Sequence, residues 1–455
     1  MSEAALHSQN EIQGTIQLLR EALEAGDREL IRARLGELHP SDIAELLESL
    51  PPRLRDEVWE EISPEIEGDV LAHANDEVRA GLLEDMHPRE VAEVTRELDA
   101  DDTADIIQDL PEDKAAEVLR AMDEQRRQRV AHVLSYPEDT AGGLMDPDTV
   151  TVRSDVTLDV VLRYLRLRGE VPENTGGLFV VDRDNHYLGV LPLTTLLTED
   201  PEKTVGEVMS REVEGIPADM PAEEVARLFE SRDLISAAVV DEQGHLLGQI
   251  TIDDVVDVIK EQGESALMSM AGLDEEEDMF APVTVSARRR AVWLGINLIT
   301  AFLASWVIGQ FQETIDQIVA LAVLMPIVAS MGGIAGTQTL TVVIRGIALG
   351  QIGYANARAL LIREVLVALI NSLIWALVVG LVAGYWFDRP ELGLIIGAAM
   401  IINLICAALF GAIIPLVLKR LSIDPALAGG VILTTVTDVV GFMAFLGLAT
   451  AFLLH

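Results

Sequence analysis

Five apolar stretches in the last part of the chain constrain its fold more than any other feature. They cover residues 291–310, 318–340, 365–386, 392–418 and 426–454. Each is as long as the roughly 20 residues with which an α-helix crosses the hydrocarbon core of a bilayer. Because a backbone in lipid has to satisfy its own hydrogen bonds, the stretches predict five membrane-spanning helices, numbered spans 1 to 5 in chain order.

The ionised residues divide the chain into an acidic first part and a nearly neutral second part. The net charge of −41 consists of −43 before residue 287 and +2 from there on. An acidic surface repels nucleic acid and attracts cations, so we expect no nucleic-acid partner. The single Cys406 permits no disulfide framework, and the first residues lack the pattern of a signal peptide. We therefore expect a cytoplasmic N-terminal half.

Basic residues predict the orientation of the spans. They lie before span 1, between spans 2 and 3 and between spans 4 and 5, at Arg288, Arg289, Arg290, Arg345, Arg358, Arg363, Lys419 and Arg420. The opposite loops carry one base, Arg389, against four acids. Because cytoplasmic loops are enriched in Lys and Arg, we expect these basic segments in the cytoplasm and the C-terminus outside.

Asp438 lies about midway along span 5, in the segment TTVTDVVGF. An acid at that depth costs several kcal/mol unless it faces protein or water, and such residues usually mark ion pathways. Carboxylate, hydroxyl and carbonyl oxygens suit Mg²⁺ that keeps part of its water shell. The alternative is a packing Asp that is protonated or bonded to Thr434, Thr435 and Thr437.

Span 2 contains Pro326 and the segment SMGGIAGTQT. Pro326 removes a helix hydrogen bond, and Gly332, Gly333 and Gly336 permit close approach of another helix or local unwinding. Plain helix packing through the GxxxG pair is an equally good interpretation. Three further polar residues in the spans, Asn297, Asn371 and Asn403, are interpreted as packing hydrogen bonds.

Residues 38–133 contain a repeat of twelve. Its first position is apolar throughout, and its ninth position is aliphatic at Leu46, Val58, Val70, Leu82, Val94, Ile106, Val118 and Val130. Pro or N-cap residues follow the first position, so each unit predicts a short helix, and stacked units predict a helical superhelix with an acidic surface. His39 and His87 precede prolines at turns and are interpreted as caps. No catalytic constellation appears.

Residues 140–263 contain two copies of a strand, helix, strand, turn, strand, helix pattern. The first copy contains VVDRDNHYLG and the second contains the similar segment VVDEQGHLLG. The two copies resemble a tandem pair of CBS domains, a regulatory module that often senses nucleotides or ions. In the second copy Gly248, Thr251 and Asp254 match the weak G-x-x-T-x-x-D nucleotide pattern of that module. The alternative is a glycine turn followed by an N-cap. ATP is therefore a candidate ligand, and the glycine turn with an N-cap is the slightly favoured interpretation of these residues.

The order of these segments resembles that of MgtE-type magnesium transporters. Three local matches carry the resemblance: PEDTAGGLM, GTQTLTVVIRGIALG and DPALAGGVILTTVTDVVGF. It implies a mainly α, multidomain protein. Its predicted parts are an N-terminal α-helical superhelix (residues 1–137), an α/β CBS pair (138–205 and 206–263), a connecting or plug helix (264–286) and a five-helix transmembrane domain (287–455).

The resemblance also implies a homodimeric channel that cytosolic Mg²⁺ holds shut. Asp438 matches the acid that holds the pore ion through its water. Asp233, Asp254 and Asp257 match sensor carboxylates of the second CBS copy, and Asp424 matches an acid facing the connecting helix. Asp101 and Asp105 match an acidic pair of the N-terminal domain. Apposed carboxylates repel until divalent ions bridge them.

Three positions depart from the family pattern. Ser265–Ala266 stands where the connecting helix usually carries Glu-Asp. We therefore expect one or more inhibitory ion sites to be weak or missing unless Glu261, Glu264 or the acidic run 274–278 replaces the pair. Ile334 replaces an Asn in GGIAGTQ. Gly429–Gly430 stands where relatives often have a polar residue and a proline.

Together with the resemblance, which implies a bacterial inner membrane, the sequence predicts a passive channel for Mg²⁺. No GxxxxGK[ST] motif occurs, so we expect neither a pump nor any enzyme. One alternative is a channel for Mn²⁺, Co²⁺ or Ni²⁺, against which the absence of nearby His or Cys ligands argues. Another is a membrane-anchored sensor of ions or nucleotides that transports nothing.

Overall fold

The structure, a computed structural model, describes residues 25–169, 175–273, 279–353, 356–421 and 423–454, with a few residues between 14 and 23. The chain forms two compact units. The first contains the described residues up to Glu264 and residues 279–281, and we call it the cytosolic unit after its predicted location. The second, called the membrane unit after its candidate spans, contains the helix end from Ser265 and the described residues from Pro282 onward. The acidic run 274–278 lies outside the described residues.

Short helices fill the repeat region, as the twelve-residue period predicts. They are Pro40–Glu48, Pro52–Trp59, Glu67–His73, Asp76–Asp85, Pro88–Val94, Ala100–Gln108, Glu112–Ala121 and Glu124–Val133, and the helix Arg28–Leu35 precedes the repeat. Most ninth-position side chains are almost completely buried in one shared core, while Val94 is partly buried against it. A single unit could not bury these side chains, so the repeat is stable only as a stack.

Turn residues begin these helices in the predicted way. The His39 ring accepts a hydrogen bond from the backbone N–H of Ser41, and His87 forms a capping box with Glu90. Asn75 and Asp123 cap later helices through their side-chain oxygens. The interpretation of the two histidines as caps is confirmed.

Two three-stranded sheets follow. Strands β1 (Thr151–Arg153), β2 (Gly177–Val181) and β3 (Tyr187–Pro192) form one, and β4 (Ile216–Pro217), β5 (Ser236–Val240) and β6 (Leu246–Thr251) form the other. In each the first pair is parallel and the second antiparallel. The helices of the two copies are Leu158–Arg168, Leu193–Thr198, Val205–Val208, Ala222–Arg232 and Ile252–Ala271. The last helix continues past residue 263, so the first part of the predicted connecting segment 264–286 belongs to Ile252–Ala271 and its last part to the helix Val283–Gly309. From here on, the connecting helix means Ile252–Ala271. This order confirms the duplicated pattern.

Five long helices form the membrane unit and confirm the predicted number of candidate spans. Spans 1 to 5 are Val283–Gly309, Ala320–Ala348, Ala357–Trp386, Pro390–Arg420 and Pro425–Leu453, and a short helix, Gln312–Gln317, connects the first two. Several helices extend beyond the apolar runs that predicted them. Polar and basic residues at helix ends continue the backbone hydrogen bonding past the hydrocarbon region.

Glycines bring spans 2, 4 and 5 close together. Span 2 is an unbroken helix through Pro326, so its glycines serve close approach and not local unwinding. A Cβ on Gly332 would lie 2.2 Å from the amide nitrogen of Asn403, and one on Gly336 would lie 3.0 Å from Leu433. Such small residues let helix backbones meet where lipid offers no hydrophobic drive. Plain packing is therefore the better interpretation of the GxxxG pair.

We predict that Leu46→Ala opens the repeat stack. Leu46 is 1 % exposed at a ninth position, so the substitution should lower local stability by about 2–5 kcal/mol through lost burial and a residual cavity. Amide hydrogen exchange of the repeat helices measures this. Leu30→Ala is the matched control, because Leu30 is 41 % exposed in a neighbouring helix, and similar exchange in both variants would contradict the shared core.

Candidate cation sites

Carboxylates from three segments meet in the cytosolic unit. Asp101, Asp102 and Asp105 lie on the helix Ala100–Gln108, Asp146 precedes β1, and Asp254 lies in the first turn of the connecting helix. Asp101 is 8 % exposed, and its Oδ1 is buried without a hydrogen-bond partner among the described residues. An orphaned buried carboxylate oxygen is costly, so this geometry fits a site completed by a cation or its water.

Burial and mutual repulsion hold protons on this cluster. Burial first, and then the charges of Asp254, Asp102 and Asp146, raise the pKa of Asp101 well above its ordinary value. Loss of hydration likewise raises the pKa of Asp254 to about 7, that of Asp102 to about 6 and that of Asp105 to about 8. Near neutral pH the cluster therefore exchanges protons readily, and a divalent cation can displace them.

Arg79 is a fixed cation beside these acids. Its guanidinium pairs with Asp109 and, at 2.6 Å, with Asp76, and the residue is 7 % exposed. Its charge opposes the effect of burial on the pKa of Asp105. One guanidinium is shared among several carboxylates, so the cluster still lacks positive charge, which favours divalent cations.

A second acidic group surrounds Glu261 of the connecting helix. Although the residue as a whole is exposed, loss of hydration at the carboxylate raises the pKa of Glu261 to about 7. The charges of Asp76, Asp257 and Glu138 add to that rise. Partial burial also raises the pKa of Asp257, and Lys260 opposes it. Glu261 therefore stands among other acids, as an ion-binding substitute for the altered Ser265–Ala266 position would require.

The residues of the nucleotide pattern have structural partners. Asp254 accepts hydrogen bonds from the backbone N–H of Thr251 at 2.9 Å and from its hydroxyl at 3.0 Å, which caps the connecting helix. A Cβ on Gly248 would lie 2.7 Å from the carbonyl oxygen of Asp146, so only glycine fits there. These contacts account for the three residue types without a ligand.

Two predicted sensor acids end or begin helices. Asp233 is exposed and ends the helix Ala222–Arg232 in a left-handed conformation, with φ of 52°. Asp424 caps span 5, accepting hydrogen bonds from the backbone N–H groups of Ala426 at 2.9 Å and Leu427 at 3.1 Å. The structure gives both a backbone role and does not bring Asp233 into the cluster of Asp101 and Asp254.

Asp438 is half-buried on span 5, and the hydroxyls of the neighbouring threonines bond backbone carbonyls. The hydroxyls of Thr434 and Thr435 donate to the carbonyls of Gly430 and Val431, and that of Thr437 donates to Thr434. Among the described residues none of these hydroxyls bonds the carboxylate. The alternative of a threonine-bonded packing Asp is therefore disfavoured.

Sequence reasoning missed several charged residues of these regions. Asp102, Asp146 and Arg79 join the cytosolic cluster, and Glu364 is 7 % exposed in span 3. The Glu364 carboxylate pairs with Arg363 at 2.7 Å and lies 3.4 Å from the hydroxyl of Thr339 in span 2. The available signal in the sequence was the position of Glu364, directly after Arg363 and directly before the predicted span 3, because a buried acid there needs a partner.

One further group of possible metal ligands lies in the hairpin turn between β2 and β3. Carboxylate and imidazole atoms of Asp182, Asp184 and His186 lie within 4.8 Å of one another. Asp182 accepts bonds from the backbone N–H groups of Asp184 and His186, and Asp241 makes the equivalent bonds in the second copy. This turn chemistry explains the Asp-rich hairpins without a metal.

The sequence matches three families over most of its length. Residues 325–448 match the MgtE family, described as a divalent cation transporter. Residues 38–139 match the MgtE intracellular N domain, and residues 141–202 and 205–261 match the CBS domain.

Solved structures of soluble portions resemble the cytosolic half. One is described as the cytosolic domain of the Mg²⁺ channel MgtE in complex with ATP, with 37 % identity, a TM-score of 0.49 and coverage of 53 % of this chain and 98 % of that chain. Another is the soluble part of a magnesium transporter, with 24 % identity, a TM-score of 0.48 and coverage of 55 % and 99 %.

Curated relatives span both halves. Magnesium transporter MgtE of Thermus thermophilus is 34 % identical over 327 residues, which is 71 % of this chain and 72 % of the relative. The protein of the same name from Bacillus subtilis is 30 % identical over 321 residues, covering 70 % and 71 %. These relatives are at least 30 % identical over more than two thirds of the chain, and the chain has five candidate spans. The chain therefore belongs to the MgtE family of magnesium transporters.

Proposed function

We propose that this chain is a Mg²⁺ channel through which Mg²⁺ enters the cell down its electrochemical gradient. The observation that carries the proposal is Asp438, a half-buried carboxylate within span 5 that lacks a bond from the neighbouring threonine hydroxyls. A membrane anchor does not need such an acid, whereas an ion pathway does. The pore residue would hold hydrated Mg²⁺ through water, since Mg²⁺ dehydrates reluctantly.

Mg²⁺ in the cytosol would close this channel. Asp101, Asp105, Asp254 and Asp257 repel one another until divalent ions bridge them, and Glu261 extends the same acidic surface. A compact cytosolic unit would then be the ion-loaded state. Because the connecting helix carries Asp254 and precedes span 1 in the chain, ion binding would have a covalent link to the membrane unit. Asp233 and Asp424 are further sensor candidates by resemblance.

Assembly, membrane and nucleotide are further parts of the proposal. We place the chain as a homodimer in a bacterial inner membrane with its N-terminus in the cytoplasm, on the basis of the family and of the basic loops. A relative described with ATP makes the CBS pair of this chain a candidate nucleotide site, with Gly248, Thr251 and Asp254 as its weak pattern.

Selectivity for Mg²⁺ over softer divalent ions is proposed from the ligand set. Asp438 has hydroxyl and carbonyl oxygens along its own helix, and hard oxygen ligands suit Mg²⁺. The alternative is a channel for Mn²⁺, Co²⁺ or Ni²⁺, and flux assays in which these ions compete with Mg²⁺ distinguish the two. A second alternative is a membrane-anchored sensor that transports nothing. The relatives are named as transporters and not as enzymes.

Asp438→Asn should reduce Mg²⁺ influx into proteoliposomes by at least about tenfold, because the neutral amide loses the charge that attracts the ion. Asp316→Asn, an exposed acid between spans 1 and 2, should leave influx unchanged. Equal influx in wild type and Asp438→Asn would refute the pore assignment. Absence of influx in every variant, at matched protein amounts, would favour the sensor.

The double substitution Asp101→Asn, Asp254→Asn should raise the cytosolic-side Mg²⁺ concentration that halves influx by about tenfold or more, because the divalent charge loses its partners. Asp113→Asn, which removes an exposed acid of the neighbouring helix Glu112–Ala121, is the matched control. If both variants close at the wild-type concentration, these two acids are not sensor ligands.

The raised pKa values predict that the cytosolic unit loses stability with rising pH when Mg²⁺ is removed. Between about pH 4 and the folded-state pKa near 7, the folded cluster holds protons that the unfolded chain has released. This stabilisation is complete below about pH 4 and disappears as pH rises through the folded values. Thermal unfolding in chelator should therefore occur at lower temperature at about pH 8 than at about pH 5, and Mg²⁺ should restore it.

Asp101→Asn should flatten that pH dependence, since the amide cannot titrate. A pH dependence identical to wild type would show that other groups control it.

A further inference from the structure

Asn403 of span 4 is packed between two glycines of other spans. The residue is 1 % exposed, and its Nδ2 donates a hydrogen bond to the carbonyl oxygen of Val328 in span 2 at 2.9 Å. A Cβ on Gly332 of span 2 would lie 2.2 Å from that nitrogen, and a Cβ on Gly441 of span 5 would lie 2.7 Å from it. The amide therefore occupies the space that both glycines leave.

The other half of the amide is unusual. The Oδ1 atom of Asn403 is buried and has no hydrogen-bond partner in the part of the chain that the structure describes. A buried acceptor without a partner costs free energy that an apolar side chain of similar size would avoid. Simple packing does not require a polar group here, so the amide serves a more specific purpose than filling space.

Gly441 connects Asn403 to the candidate pore acid. It follows Asp438 by three residues, so the two lie about one helical turn apart on neighbouring faces of span 5. On the span 2 side, Val328 and Gly332 lie within the segment that contains Pro326. The Asn403 amide thus sets the separation between the segment of span 2 that contains Pro326 and Gly332 and the turn of span 5 that carries Asp438.

We propose that Asn403 is a positioning residue for Asp438: its amide, bonded to Val328 and clamped between Gly332 and Gly441, sets where the span 5 carboxylate stands relative to span 2. This inference rests on the proposed ion pathway through Asp438 and deepens it. The separation of spans 2, 4 and 5 at this level determines which hydrated cation the carboxylate holds best. Asn403 itself does not touch the ion.

The test combines substitutions of the amide and of the glycines in the full-length protein in proteoliposomes. Asn403→Leu keeps the branched shape of the side chain and removes the bond to Val328, so the Mg²⁺ concentration for half-maximal influx should rise by about threefold or more, and the preference for Mg²⁺ over Mn²⁺ should fall. Gly441→Ala should do the same, because its methyl group displaces the amide. Gly333→Ala and Gly447→Ala are matched controls, since a Cβ at either position meets nothing within 4 Å.

A double substitution distinguishes positioning from general damage. Asn403→Ala makes room for a methyl group at position 441, so Asn403→Ala, Gly441→Ala should be no worse than the more impaired single variant. Multiplied losses would overturn the proposal, as would unchanged half-saturation and ion preference in folded Asn403→Leu. Lack of influx in wild type, or full influx in Asp438→Asn, would instead contradict the proposed channel itself, so the two failures are distinguishable.

Discussion

Like charges held close together in a poorly hydrated place are the constraint on which the cytosolic unit depends. Asp101 and Asp105 lie on one helix and Asp254 on another that is far away in sequence, and Arg79 supplies one shared positive charge. In the absence of cations such a cluster holds protons or separates. The same property that makes the fold costly underlies the proposed sensitivity to divalent ions, since binding energy would be gained only in the compact arrangement.

The membrane unit is subject to the opposite constraint, because polar groups there have few partners. Glycines permit spans 2, 4 and 5 to approach closely, and the amide of Asn403 occupies the resulting space. Threonine hydroxyls around Asp438 bond the carbonyls of their own helix and leave the carboxylate without a bond from them. Small residues thus hold the helices together, and charged groups within the spans are rare.

Several features combine a structural role with a proposed functional one. Asp254 caps the connecting helix and also belongs to the acidic cluster, and Asp424 caps span 5. A cap fixes the orientation of a carboxylate, so a capping acid presents its remaining lone pairs in a defined direction. The departures at Ser265, Ile334 and Gly430 lie outside these contacts, and Glu261, close to the first of them in the chain, stands among other acids.

The sequence by itself determined the five spans, the twelve-residue helical repeat and the duplicated strand and helix order. Each of these follows from a period or a length that local chemistry imposes, such as the ninth-position aliphatic residues that the stack buries. The exceptional residues Asp438 and Asp101 were also visible, because an acid in an apolar helix or in a matched motif stands out. Only the tertiary structure decided that span 2 stays helical through Pro326 and that Asp146 and Arg79 join the acidic cluster. It also decided that Asn403 fills the gap between Gly332 and Gly441. These are contacts between distant segments, and no local period encodes which side chains meet across a packed interface.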